Sequence, residues 1–479
     1  MALENAPVNL DPRIGTDQAS GKVFQLILNG LVTTDPDGNI IPDLAESWEV
    51  LEDGGRYRFH LRPQVVFHDG RPMTSRDVAW TFGTIIDGSV TTAKGAAFAV
   101  IDRIETPDPA TVELVLHHPF GALLVDLTPA QGIIPFGTTP EEMNRSPIGT
   151  GPFRFLGRTP ETVTLSANPD YWGEPPSLQK VVFKEVPDST VRALELLNGS
   201  VQLVVNDLAP DVVSLFRKNQ YFQVVEKPGA NYAYLGLNLE DPLLSDLRVR
   251  RALAMSIDRQ RLVSTLWQGL GVVTETMLPP GLWARHNDLE EIPYDPQAAA
   301  RLLEEAGYPD PDGDGPLPRI SLTYKCSTSE AYVLQAQVIQ DMAKAAGIHL
   351  EIRSYEFATF YADVRKGNFQ MFSSIRTGII EPNIYRLVLH STATPPGGQN
   401  RGRYNNPEFD RLIDQGARFS TPEDRYPYYR RAQEIFAEDL PYLSLFTRIN
   451  YAVMPQPLEG YVSYPSGELY SLAQVRWVR

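Results

Sequence analysis

Residues 42–82, PDLAESWEVLEDGGRYRFHLRPQVVFHDGRPMTSRDVAWTF, decide how the chain is read. Trp48, Val50 and Leu51 carry one β run, and Asp53-Gly54-Gly55 supply residues that accept positive φ. Tyr57, Phe59 and Leu61 then alternate with Arg58, His60 and Arg62, the period-two pattern of a half-buried strand. The two runs make a hairpin. Residues 65–68 are predicted as a third short strand ending at the Asp69-Gly70 turn. Thr74 or Ser75 then caps a helix whose Val78, Phe82 and Ile85 share one face.

Outward from this block, strands and helices alternate. A helix-compatible run with Val23, Leu26, Ile27 and Leu28 leads through Asn29-Gly30 into Leu31-Val32. Segments 101–104, 111–116 and 123–127 alternate with proline-bearing turns. Pro147-Ile148-Gly149-Thr150-Gly151-Pro152-Phe153 reads either as a domain crossover or as a tight turn. Strands are predicted at 162–165, 181–185 and 202–205, with a helix between the last two that starts at Asp188, carries Val191, Leu194 and Leu197, and stops at Asn198-Gly199. Residues 232–239 alternate as a strand. A helix over 247–258 places Val249, Leu253 and Ile257 on one stripe, Asp295-Pro296 starts another, and a longer one over 330–346 closes at Gly347. The last long helix begins at Ser420 or Thr421, and strands near 443–446 and 451–453 finish the chain. Such units predict an α/β fold with mixed sheets.

At 479 residues the chain exceeds the ~250–300 residues at which single cores stop growing, so two or three domains are expected. No run approaches the ~18–20 uninterrupted apolar residues of a membrane span. Forty-three basic residues against fifty-nine acidic ones give a net charge of −16, which repels polyphosphate and argues against nucleic acid as a partner. The single Cys326 excludes an internal disulfide and a cysteine zinc cluster. The opening MALENAPVNLDPR has neither a basic n-region nor an apolar h-region, so the expectation is a cytoplasmic protein or one whose leader Met1 replaces.

Easily recognised enzyme motifs are missing: there is no Gly-x-Ser-x-Gly elbow, phosphate loop or His-Glu-x-x-His. The seven histidines form no i,i+4 pair, and His68, before Asp69-Gly70, is read as a surface turn residue. Asp310-Pro311-Asp312-Gly313-Asp314-Gly315 matches the first half of a calcium loop, but its twelfth position is Ser321, where a bidentate glutamate belongs. Calcium on Asp310, Asp312 and Asp314 and a plain solvated turn both stand at this point.

The Pro-x-Leu-Ala-Glu-Ser-Trp start, the Tyr-x-Phe-x-Leu-Arg strand, the Phe-x-Asp-Gly-x-Pro turn, the Thr-x-x-Asp-Val helix start and the later Asn168-Pro169-Asp170-Tyr171-Trp172-Gly173 turn resemble the signature of family 5 extracellular solute-binding proteins. These are the peptide, dipeptide and nickel receptors of ABC importers. The resemblance implies a bilobal periplasmic-binding-protein fold of the class II type with an extra inserted α+β domain. Mapped by motif, lobe I is 1–42, 149–236 and 447–479, the inserted domain is 43–148, and lobe II is 237–446. It implies a non-enzymatic function: capture of a peptide or peptide-like solute by hinge closure, by a monomer that serves permease subunits, without a cofactor. The implied location is periplasmic or extracellular, with a lipid on the removed leader as a tether. A metal-chelate or other anionic-solute receptor on the same fold is the second reading, and a hydrolase the third.

The resemblance also implies ligand-binding positions: Asn29 and Leu31 near the N-terminus, Tyr232, Tyr234 and Asn238 on a strand whose counterpart pairs with peptide backbone, and Ile375, Arg376 and Gly378 before Glu381-Pro382. The alternative for each tyrosine is a buried position in a sheet. Peptide-binding relatives place an aspartate three residues before the corresponding glutamate, where it holds the ligand ammonium; here that residue is Gly378. Arg376 is read either as a bidentate partner for a ligand carboxylate or phosphate, or as a solvated or Glu381-paired side chain. The acidic turn lies outside both implied cleft segments, so replacing Asp310, Asp312 and Asp314 by asparagine is expected to leave ligand affinity unchanged. A roughly tenfold loss in a calorimetric titration, about 1.4 kcal/mol, overturns that placement.

Overall fold

The computed structural model describes residues 1–313, 315–395 and 398–478. The chain forms two compact units, one built from 1–227, 417–421 and 450–479 and the other from 228–416 and 422–449. Motif mapping put the two late crossings at 236/237 and 446/447; they fall at 227/228 and 449/450, inside the strands Phe222–Leu237 and Tyr442–Pro455. Tyr442–Pro455 is one strand of 14 residues where two were expected. The polar stretch Thr447 to Asn450 resembles a break, but its polar ends are buried, and Asn450 Nδ2 donates to the carbonyls of Tyr464 and Pro465 at 2.9 and 2.7 Å. A satisfied polar side chain leaves the strand free to continue.

In the first unit the hairpin forms as read: Ala45–Leu51 pairs antiparallel with Arg56–Leu61, and Thr111–Leu116 and Ile101–Asp108 extend it to four strands. Helix Ser75–Ile86 packs on this sheet through Val78, Phe82 and Ile85, held at its start by a capping box between Thr74 and Asp77. Residues 65–68 do not form a strand. The Asp69-Gly70 turn folds the chain back at once, leaving a single bridge between Val66 and Pro72, while Val65 and Phe67 are buried. A second sheet of Phe153–Arg158, Thr162–Ala167, Lys180–Glu185 and Ala2–Leu3 packs against helix Gln18–Ile27.

Helix Ser189–Leu197 starts at Asp188 as read, yet its stripe Val191, Leu194 and Leu197 points outward, at 44–55% exposure. The opposite face is drawn inward by Arg192, whose guanidinium donates to the carbonyls of Val186, Pro187 and Asp207, and Ala193 and Leu196 bury beside it. Three charge-assisted bonds to backbone decide the orientation of a helix that is apolar on both faces.

In the second unit, Phe222–Leu237 lies between Tyr442–Pro455 and Met371–Arg376, followed by Ile320–Ser327 and Ile348–Tyr355. The last three pair in parallel, whereas 232–237 runs antiparallel to 371–376. Helices Leu247–Met255, Pro296–Glu305 and Glu330–Lys344 bury Val249, Leu253, Leu303 and Ile339 in the core that also holds Cys326, whose thiol pKa is raised by burial. Among the described residues no helix is long and apolar enough to cross a membrane.

The glycines of segment 147–153 are steric requirements. Gly151 donates to the Ile27 carbonyl at 3.1 Å, and a Cβ on Gly149 collides with that carbonyl oxygen and with the Leu28 side chain. Gly149→Ala is expected to cost about 1–3 kcal/mol in urea unfolding, as overpacking against backbone does. Gly157→Ala, whose Cβ meets nothing within 4 Å, is expected to stay within about 0.5 kcal/mol of the parent. Equal losses in the two variants overturn the steric account.

Candidate functional site

Asn29 sits at the centre of a buried polar cluster in the first unit. Its Nδ2 donates to Asp43 Oδ1 at 2.9 Å, and its Oδ1 accepts from Thr150 Oγ1 at 3.0 Å and from Trp172 Nε1 at 3.3 Å. Gly30 N donates to the other Asp43 oxygen at 3.0 Å, and Arg62 Nε donates to the Asp43 carbonyl at 2.6 Å while its guanidinium lies 4.9 Å from the Trp172 ring. Burial pushes the Asp43 carboxyl up to about 7, against the pull of Gly30, Asn29 and Arg62. Asn29 has no hydrogen-bonding capacity left for a solute, and Leu31 is fully buried in the neighbouring apolar core. Within the first unit these residues join the 26–32 segment to the Asp43 turn, the 150 crossover and the Trp172 turn.

His68 belongs to the same scaffold and is mostly buried, not a free turn residue. Its Nδ1 accepts from Gly149 N at 3.3 Å, its Nε2 donates to Gly151 O at 3.0 Å, and its own N–H donates to Gly149 O at 2.8 Å. Only a neutral ring can accept at Nδ1 while donating at Nε2. Desolvation lowers its pKa to about 4, with Arg154 adding to the shift and Gly151 and Asp69 opposing it.

In the second unit, strand pairing fixes Tyr232 opposite Arg376 and Tyr234 opposite Ser374. Tyr232 and Tyr234 stack at 5.3 Å between centroids, and Tyr234 stacks on Tyr442 at 4.6 Å. Tyr232 is 1% exposed, and its hydroxyl is 2.7 Å from Ser444 Oγ. Residues 232–237 pair with 371–376 on one edge, and the strand Phe222–Leu237 to which they belong neighbours Tyr442–Pro455 on its other side, so the strand lies inside the sheet. Tyr232 and Tyr234 therefore take the alternative, buried reading. Asn238 caps a turn: its Nδ2 donates to Phe369 O at 3.1 Å and its Oδ1 accepts from Glu240 N at 3.1 Å. Ile375 is half-buried against the unit's main core.

The segment after this strand keeps its open chemistry. Arg376 Nη2 donates to Gln399 Oε1 at 2.6 Å and makes no ion pair among the described residues. Glu381 instead pairs with Arg425, which also lies over the rings of Trp283 and Tyr429, so that glutamate is spoken for. Gly378 has φ +67, its N–H donates to Asn231 Oδ1 at 3.0 Å, and nothing lies within 4 Å of where a Cβ would be. Backbone conformation, not space, favours glycine there.

Sequence reading missed Arg401, which is 8% exposed, donates to Tyr361 Oη at 2.6 Å and lies 4.7 Å from that ring. Its signal was the Asn400-Arg401-Gly402-Arg403 run, two arginines astride a glycine in a polar loop. In the acidic turn, Asp310 pairs with Arg319 at 3.3 Å and Asp312 accepts from Leu317 N at 3.1 Å, while Asp314 lies outside the described residues. Among the described residues no three His, Cys, Asp or Glu side chains are grouped to hold a metal ion.

The family described as bacterial extracellular solute-binding proteins, family 5 Middle, matches residues 39–394. This chain is a family 5 extracellular solute-binding protein. Over 96% of its length it is 28% identical to the heme-binding protein A of Haemophilus influenzae, 89% of which is covered. Over 97% it is 27% identical to the dipeptide-binding protein of Escherichia coli, 92% of which is covered. The oligopeptide-binding protein AppA of Bacillus subtilis, solved with a nonapeptide, superposes on all of this chain and 98% of its own with a TM-score of 0.81 at 26% identity. The periplasmic-binding fold inferred from the motifs is thereby shown.

In this solute-binding protein two of the desolvated titratable groups of the first unit, His68 and Asp43, oppose each other. His68, depressed from 6.5 to about 4, contributes stability that is complete above pH 6.5 and is lost as pH falls toward 4. Asp43, raised from 3.8 to about 7, contributes stability that is complete below 3.8 and is lost as pH rises through 7. Relative to the parent, Asp43→Asn is expected to make stability rise more steeply between about pH 4 and 6.5, and His68→Gln to make it fall. Urea midpoints across that window check both signs, and slopes unchanged in both variants contradict the buried assignments.

Proposed function

We propose that this protein is the substrate-binding subunit of an ABC importer and that it captures a peptide or peptide-like solute by hinge closure. The observation that carries the reading is the family match extending over nearly the whole chain to relatives named for dipeptide and oligopeptide binding. The two strands that run through the unit boundaries support it, because a connection made of a few residues that can change φ and ψ is what a hinge needs. The function is exercised outside the inner membrane, with a lipid on a leader as the tether and permease subunits as the acceptors. Native mass spectrometry of the purified protein against a pool of di- to nonapeptides tests this: retained or selected peptides uphold it, and no bound peptide from the pool refutes it. Small-angle scattering with a selected peptide is expected to show a smaller radius of gyration than without, and an unchanged radius excludes closure.

Ligand termini are discriminated near Gly378. A desolvated ammonium needs a carboxylate partner, and glycine offers none. Aspartate tolerates left-handed φ better than most residues, and the site has room for it. Gly378→Asp is expected to cost about 1 kcal/mol of stability while raising affinity for free-amine over N-acetylated peptides by at least about threefold. Calorimetry with a matched pair reads the ratio; an unaltered ratio shows that residue 378 does not face the ligand terminus.

A further inference from the structure

We propose that Arg376 and Arg401 of the second unit form a two-guanidinium site for the carboxylate of the solute, with Tyr442 as its floor and Gln399 and Tyr361 as its positioning residues. The inference rests on the peptide-receptor reading and adds to it the charge of the ligand. The chain carries sixteen more acidic than basic residues, so a surface arginine has acids to choose from. Neither Arg376 nor Arg401 takes one: among the ion pairs of the described residues neither appears, although many other arginines do. Arg401 is nevertheless almost wholly buried, and its recorded partners are neutral, the Tyr361 hydroxyl and ring. Arg376 is held by the Gln399 amide, two residues before Arg401.

The two side chains belong to segments that meet around Tyr442. Arg376 ends a strand whose register sets it opposite Tyr232, and Tyr442 stacks on Tyr234 beside Tyr232. Gly402, next to Arg401, lies against the Leu237 carbonyl and the Tyr442 ring. Burial raises the pKa of the Tyr442 hydroxyl and both guanidinium charges oppose that shift, so both lie within electrostatic reach of it. Two cations held near each other in a partly desolvated setting, each on a neutral hydrogen-bond acceptor, repel one another and lack a counter-charge. A bidentate carboxylate supplies it, and the planar forks of arginine suit that geometry. The missing acid at 378 fits the same picture: the site offers cations where peptide-binding relatives offer an anion.

The test uses the full chain, wild type, Arg376→Gln and Arg401→Gln. In calorimetry, N-acetyl-trialanine is expected to bind and its C-terminal amide to bind at least about tenfold more weakly. Each substitution is expected to lose about tenfold toward the acid and little toward the amide. Equal affinity for acid and amide, or equal losses toward both, overturns the proposal. A second measurement does not depend on peptides. Succinate, compared with chloride at matched ionic strength, is expected to raise the melting temperature of wild type and of neither variant; absence of that rise in wild type overturns the anion site. Phosphate raising it more than succinate overturns the carboxylate assignment. Without added anion, both variants are expected to melt at or above the wild-type temperature, since each removes an uncompensated charge; a fall of several degrees in both shows the arginines to be structural. If no peptide form binds while succinate acts as expected, the peptide reading fails and the anion site stands.

Discussion

Two strands, Phe222–Leu237 and Tyr442–Pro455, are shared between the units, and the placement of several segments of the second unit follows from keeping their backbones paired. A buried strand cannot leave its N–H and C=O groups unsatisfied, so once 232–237 is set against 371–376 in one register, the position of every residue at the end of 371–376 is determined. The first residues past the boundary then hold the next segment: the Ala230 carbonyl accepts from Ile379 N and the Asn231 side chain accepts from Gly378 N. Arg376 and Gly378 are thus placed by main-chain pairing and not by side-chain packing, which allows their identities to vary without disturbing the sheet.

The first unit is organised by a different device. Asn29, Asp43, Thr150, Trp172 and His68 are a set of buried and partly buried polar groups joined by hydrogen bonds, and they tie together five segments distant in sequence. Burying such groups is costly unless all are satisfied, and a network that is satisfied in one arrangement only selects that arrangement. The glycines at 149 and 151 let the crossover come close enough to the end of helix Gln18–Ile27 for His68 to span it.

Most of the fold was legible because its punctuation is local. The Asp53-Gly54-Gly55 turn, the Thr74 capping box and the Gly347 helix stop each act within a few residues and formed as read. The long strands were not legible in full, because Lys227-Pro228-Gly229 and Thr447 to Asn450 have the composition of breaks, and only neighbours from elsewhere in the chain make them extended. The site shows the same division. Tyrosines on a strand could be seen, but not that they stack into the core with Tyr442, more than two hundred residues later. Arg401 was not singled out, since nothing near it in sequence announces that Tyr361, forty residues earlier, covers it.

Cys326 stands near the end of a parallel pair, with Ser354 as its cross-strand neighbour, and has no solvent-exposed surface. The thiolate is the reactive form of cysteine, and burial that raises the thiol pKa removes both the nucleophile and the access. The Cys326 thiol is therefore shielded from maleimides and thiol oxidants while the chain is folded. One cysteine introduced on the surface of each unit therefore supplies a pair of reactive thiols for spectroscopic labels without first replacing Cys326.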